Sequence, residues 1–229
     1  MRKMHGSLRK LLMLPAALLL WAACSDDDYH YPSVSLEYLT ARSNSAGTLE
    51  TVLTDGGGLY AVLNEVTAPN RAADSTLRII ANYACELADN GDTTGVLLYS
   101  ASTVVSPVPQ PAAAFAGGVK TDPASVLSIW MGLDYLNVVL EIKGTDATHA
   151  FHFVEDKVEG GEEEAHREVA LTLYHDAADD PPYYTRRAYL SVPLCSYITD
   201  QTESLTVRFS LQNEEDETET YTFNYLPRR

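Results

Sequence analysis

From residue 34 onward, apolar and polar side chains alternate with a period of two. Leu205, Val207, Phe209 and Leu211 are separated by Thr206, Arg208 and Ser210. Tyr221, Phe223 and Tyr225 are separated by Thr222 and Asn224, and Leu136, Val138, Leu140 and Ile142 follow the same rule. An apolar side chain at every second position sets one face of a strand on a core and leaves the other outside it. The pattern recurs over 34–42, 48–54, 59–63, 77–87 and 96–105. No segment after residue 23 sustains a 3.6-residue period, so the chain is expected to be all-β. Asp55-Gly56-Gly57-Gly58 lies between the second and third of these runs. Its glycines supply the positive φ of a hairpin turn.

The alternation stops between Pro107 and Asp122. PVPQPAAAFAGG carries three prolines and two adjacent glycines, the composition of a linker or boundary with one helical turn near 112–116. About five strands are expected before it and about seven after it. These numbers suit an OB-like β-barrel over 34–108, a linker over 109–122 and an antiparallel β-sandwich over 123–229. Acidic stretches at 159–164, 176–182 and 213–219 read as loops that also guard strand edges.

Ahead of the strands the chain is of another kind. Arg2, Lys3, Arg9 and Lys10 precede an apolar run from Leu11 to Leu20, and Ala22-Ala23 precede Cys24. A basic start, a short apolar core and small residues at its end make a secretory signal over 1–23. The run is too short to span a bilayer, which takes about 20 apolar residues. The Ala-Ala-Cys ending resembles the lipobox of bacterial lipoproteins, which implies lipidation at Cys24 and a stalk over 24–33. Ser25-Asp26-Asp27-Asp28 resembles the export tag of surface lipoproteins in Bacteroidota. The expected address is the outer membrane, lipid-anchored and surface-exposed, with a periplasm-facing protein as the alternative.

Removal of the signal changes the electrostatics. Residues 1–23 hold four of the 16 basic residues and none of the 32 acidic ones, so the remainder carries a formal charge of −20. Such a surface repels nucleic acid, whose binding needs clustered Lys and Arg, and anionic headgroups as well. The contact with the membrane is therefore expected through the lipid on Cys24 alone.

Candidate chemistry is sparse. His149 and His152 lie three apart, which on a strand places them on opposite faces, and neither His166 nor His175 completes a zinc spacing. Asp89-Asn90-Gly91-Asp92 reads as a turn, since the Glu that closes an EF-hand loop is missing. No nucleophile elbow or phosphate-binding glycine loop stands in the chain. No catalytic residue, metal ligand or cofactor is expected. Cys85 and Cys195 are expected as buried free thiols. All 14 tyrosines fall after the signal, and Tyr183-Tyr184 follow two prolines in a loop. That pair is the candidate binding site, for a protein or for sugar rings.

Thr121-Asp122-Pro123, Trp130 and Tyr135-Leu136-Asn137 stand in order, followed by the His-bearing stretch 149–154, Leu173-Tyr174-His175-Asp176 and Asp179. This succession resembles the NigD-like lipoproteins of Bacteroidota. The resemblance implies a lipobox, an N-terminal OB-like domain and a C-terminal β-sandwich, with a supposed role in self-protection against a bacteriocin. Tyr174 stands where that family often has Arg, and no site is carried over from these positions. The function expected is a non-enzymatic module that binds a protein partner. The alternative is a carbohydrate-binding lipoprotein of a glycan-uptake system.

Overall fold

The structure, a computed structural model, describes residues 34–227. They form one compact unit. The lipidation expected at Cys24, the signal and the stalk lie outside the described residues.

The first five strands are β1 (Ser35–Ser43), β2 (Leu49–Thr54), β3 (Leu59–Ala61), β4 (Thr76–Leu87) and β5 (Thr93–Thr103). They form one antiparallel sheet in the order β3-β2-β1-β4-β5. The sheet curls until the chain after β3 meets β5 in parallel at Val62 and Val96. There the Leu63 amide donates to the Val96 carbonyl at 2.9 Å, and Asn64 exchanges two bonds with Leu98 at 2.8 and 3.0 Å. Closure needs Gly95, because a Cβ at that position would lie 2.8 Å from the Ala61 carbonyl oxygen. Alternation sends Leu39, Ala41, Val52, Ile79, Ala81 and Leu98 inside. This is the expected OB-like barrel.

The remaining strands are β6 (Gln110–Pro111), β7 (Ser125–Gly132), β8 (Tyr135–Gly144), β9 (Ala150–Glu159), β10 (His166–Asp176), β11 (Tyr184–Pro193), β12 (Ser204–Gln212) and β13 (Thr218–Tyr225). One sheet runs β13-β12-β10-β9-β6 and the other β11-β8-β7. Phe153, Phe209, Leu140, Leu171, Leu190 and Leu205 fill the space between them. Two pairings depart from the antiparallel pattern: β10 with β12, and β6 with β9, are parallel. The first follows from connectivity, since β11 crosses to the other sheet and β12 returns in the direction of β10. The segment 109–122, expected as a linker, lies along the sandwich. It supplies β6 and a 3-10 turn at Ala112–Ala114, and Phe115 stacks on Tyr174 at 4.8 Å.

The outward faces of β1 and β4 rest on the outward face of β11-β8-β7. At their junction Arg78, only 6% exposed, extends from the barrel. Its Nη2 donates to both carboxylate oxygens of Asp55 at 2.7 Å and to Asn137 Oδ1 at 2.9 Å, and its Nε donates to Ser191 Oγ at 3.0 Å. The guanidinium lies 4.2 Å from the Tyr135 ring centroid. Ser191 Oγ donates to Asn137 Oδ1 at 2.7 Å, and Asn137 Nδ2 donates to Asp55 at 2.7 Å. Every polar group in this set has a partner, and that is the condition under which a buried charge is tolerated. Gly132 makes room, because a Cβ there would fall 2.2 Å from Asp55 Oδ2.

Removing one member of a buried ion pair strands the other, at a cost of about 3–5 kcal/mol. Asp55→Ala is therefore expected to lower unfolding free energy by about that amount, and Gly132→Ala to destabilise by displacing Asp55. Urea denaturation checks both. Loss of under about 1 kcal/mol for Asp55→Ala would mean that Arg78 reaches water instead.

Candidate binding groove

Away from Arg78 the two facing surfaces separate and leave a cleft of about 620 Å³, open to solvent. Alternation determines its walls. On β1, Leu39 and Ala41 point into the barrel, so Leu36, Tyr38 and Thr40 fall on or near the opposite face. On β8, Leu136, Val138 and Leu140 enter the sandwich core and turn Asn137 and Val139 toward the barrel. The cleft thus has Leu36, Tyr38 and Ile80 on one side and Leu127, Trp130 and Tyr189 on the other. Glu37 and Arg187 stand among its charged lining residues.

Tyr38 forms the closed end. Its ring meets Trp130 edge-on at 5.2 Å and Tyr189 at 6.4 Å, and its hydroxyl donates to the Val138 carbonyl at 3.1 Å. Burial, aided by the neighbouring Tyr189, pushes its pKa well above the usual tyrosine value, so the hydroxyl remains a donor. Leu36 and Leu127, in contrast, are 59% and 47% exposed. An apolar cleft left wet is a surface with free energy to gain from an occupant, at roughly 25 cal/mol per Å² covered.

A second polar cluster lies at the end of the sandwich. The Asp122 carbonyl can only accept, so His175 Nδ1, 2.8 Å away, carries the proton. His175 Nε2 then accepts from His149 Nδ1 at 2.8 Å, and His149 Nε2 faces Asp180 Oδ2 at 3.3 Å. Asp180 also accepts from the Thr145 and Asp146 amides and lies 3.5 Å from Arg186 Nη2. Burial holds the His175 pKa below its ordinary value. For Asp180, burial acts upward, but hydrogen bonds from the Thr145, Ala147 and Asp146 amides and from His149 outweigh it and the net direction is down. This cluster ties the chain before β7 to the ends of β9 and β10.

The other sequence candidates are dispersed. Tyr183 and Tyr184 are exposed, at 77% and 64%, and lie outside the cleft. Tyr183 precedes β11 and Tyr184 is its first residue. His149 and His152 do diverge: His152 packs with Phe115 and Tyr174 on the outer face. Among the described residues no group of three His, Cys, Asp or Glu side chains is placed to hold a metal ion. Asp89–Asp92 is a turn, with Asn90 Oδ1 accepting from the Asp92 amide. Cys85 and Cys195 are free, but the expected burial is wrong and both are exposed. Cys85 falls in the fraying end of β4, whose last three residues are all exposed, and Cys195 lies in a 3-10 turn rather than a strand.

The groove residues escaped the sequence reading because the cleft is made by two domains meeting. One signal was present: Arg78 interrupts the apolar run Leu77-Arg78-Ile79-Ile80. A charge in such a run calls for a buried partner.

Comparison with known proteins gives a consistent picture of the architecture. A family model described as the NigD-like C-terminal beta sandwich domain matches residues 106–225. The chain is similar to a solved NigD-like immunity protein from Bacteroides caccae, at 33% identity over 87% of this chain and 100% of that one, with a TM-score of 0.68. It shares its fold with a protein of unknown function from Bacteroides vulgatus, at 16% identity over 84% of this chain and 91% of that one, TM-score 0.63. A protein from Parabacteroides distasonis described as toxin-related shares the fold at 20% identity, over 84% and 93%, TM-score 0.62. No curated protein matches. No helix among the described residues is long and apolar enough to cross a membrane.

The His175 environment sets a pH dependence. The unfolded chain protonates this histidine near its ordinary value of 6.5, while the folded chain resists. Between those two values the unfolded state binds more protons, so stability falls as pH falls. Asp180 acts in the same direction at lower pH, its contribution disappearing as its carboxylate is protonated. Urea midpoints measured from pH 7.5 down to pH 5, roughly the range where histidine titrates, are expected to decline. The decline should be shallower in His175→Leu, with one proton accounting for at most about 1.4 kcal/mol per pH unit. Equal slopes would remove His175 as the cause.

Proposed function

This chain belongs to the NigD-like family, and from that premise we propose that it is a lipid-anchored, non-enzymatic binding protein whose groove takes a polypeptide partner, in a bacteriocin-immunity role. The observation that carries the reading is the groove itself: exposed Leu36 and Leu127 beside the aromatic wall of Tyr38, Trp130 and Tyr189. Large aromatic side chains in a desolvated recess are the usual anchors of protein recognition. The immunity role is taken from the Bacteroides caccae relative, with which this chain aligns over most of its length. The anchor is taken from the Ala22-Ala23-Cys24 pattern, and outer-membrane surface exposure from the Ser25-Asp26-Asp27-Asp28 that follows it.

The second reading, a glycan ligand, draws on the exposure of Tyr183 and Tyr184. The groove is favoured over it because its aromatic and aliphatic groups converge.

A susceptible Bacteroidota host expressing the full chain should be protected against culture fluid of a bacteriocin-producing relative. Protection should be lost in a Leu127→Asp, Trp130→Ala variant that is still exported, and retained in Tyr183→Ala, Tyr184→Ala. Cys24→Ala should take up no labelled palmitate and protect poorly. Equal sensitivity with and without the chain would contradict the immunity role. Binding on a glycan array that is lost with the two tyrosines would put the second reading in its place.

A further inference from the structure

β7 is an edge strand, paired with β8 on one side only. The β7–β8 turn has two residues, Leu133 and Asp134, so Gly132 and Tyr135 are its bonded closing pair. Hydrogen-bonded and non-bonded pairs then alternate along the ladder. Trp130 with Asn137 and Ser128 with Val139 are bonded pairs. The peptide groups of Ile129 and Met131 therefore point away from β8, toward the open edge. Their side chains pack on the sandwich core, while Leu127, Ser128 and Trp130 line the groove. The open backbone edge and the apolar groove are two faces of one strand.

Two other strands of the sandwich are covered. The chain leaving the barrel lies along β11, where Val105 exchanges two backbone bonds with Tyr189 and Ser191 at 3.0 and 2.9 Å. A few residues later β6 covers β9. Such covering is the ordinary defence of a sheet edge. Among the described residues no backbone bond covers Ile129 or Met131. The terminal strand of the other sheet, β13, does not line this groove.

We propose that the groove accepts an extended, positively charged peptide segment that adds to β7 as a fourth strand of the β11-β8-β7 sheet. Its alternate apolar side chains enter the cleft between Leu36 and Trp130. The inference rests on the groove being the binding site and adds the chemistry of its occupant. Strand addition supplies affinity through main-chain hydrogen bonds, and the pockets along the groove supply selectivity through every second side chain. The sign of the charge follows from complementarity: the exported part of the chain carries a formal −20, which attracts a cationic segment and speeds its arrival.

Trp130 is the sole tryptophan after the signal, so its fluorescence reports on the groove directly. The experiment titrates the whole mature chain, with Cys24 replaced by Ser, with three synthetic peptides of about eight residues, near the usual strand length. One alternates Lys with Val and Leu, one has Glu in place of Lys, and one is the Lys peptide N-methylated at alternate residues along a single edge. The Lys peptide should change Trp130 emission saturably. N-methylation should weaken it at least about ten-fold, since it removes the donors that strand pairing needs. The Glu peptide should bind more weakly, and raising NaCl from about 0.05 to about 0.5 M should narrow that difference. Unchanged affinity after N-methylation would overturn strand addition while leaving the groove as the site. Absence of any Trp130 response to the Lys peptide would overturn the groove reading itself. Equal binding of the Glu peptide would overturn the charge assignment. Concentration-dependent dimers that Lys peptide does not dissociate would assign the edge to a second copy and overturn the proposal.

Discussion

The structure turns on one buried cation. Arg78 lies on a barrel strand, and its partners come from both units: Thr40 and Asp55 from the barrel, Asn137 on β8 and Ser191 on β11 from the sandwich. A guanidinium taken out of water is tolerated only when its donors are matched. Here Asp55 supplies the charge, Asn137 and Ser191 supply acceptors, and Tyr135 supplies a ring face. Two units with separate hydrophobic cores are thereby fixed at one relative position. The groove is a consequence, since the facing sheets meet at Arg78 and diverge beyond Tyr38.

That constraint also explains local choices that otherwise look unrelated. Gly132 has no side chain because Asp55 occupies the space. The Gly56-Gly57-Gly58 turn does more than reverse the chain between β2 and β3. Gly57 adopts a φ of 92°, and Thr54 and Gly58 close the turn with a backbone bond, which presents Asp55 to the sandwich. Ser191 is bonded twice over, through its side chain to Asn137 and Arg78 and through its amide to Val105. The connection between the units and the ionic junction thus converge on the same short piece of β11.

Much of the fold was legible from period-two alternation. The runs at 34–42, 48–54 and 77–87 lie within a residue or two of β1, β2 and β4, because each sends alternate apolar side chains into the barrel core. β7 was harder to read: a register shift between Val126 and Ser128 breaks its alternation. β6 consists of two residues and has no periodicity at all. The groove was illegible for another reason. Tyr38 and Trp130 meet at 5.2 Å across 92 positions of sequence, and nothing near either residue announces the other. Local composition pointed to Tyr183 and Tyr184, which are exposed and lie outside the groove. The motif residues fared unevenly. Asp122 and His175 meet as a structural clasp, whereas Trp130 and Asn137 belong to the groove and the junction. Leu36 follows Cys24 by twelve residues, so a lipid on that cysteine would hold the groove within about 40 Å of the membrane surface at full extension.

The central claim is that Arg78 joins barrel and sandwich into one cooperative unit and so holds the groove open. Hydrogen exchange measured by mass spectrometry on the mature chain tests it directly. Core amides of β1, β4, β8 and β12 should exchange through one common opening, and Asp55→Ala should split them into two classes with the barrel opening first. Independent exchange of barrel and sandwich in the unmodified chain would contradict the account.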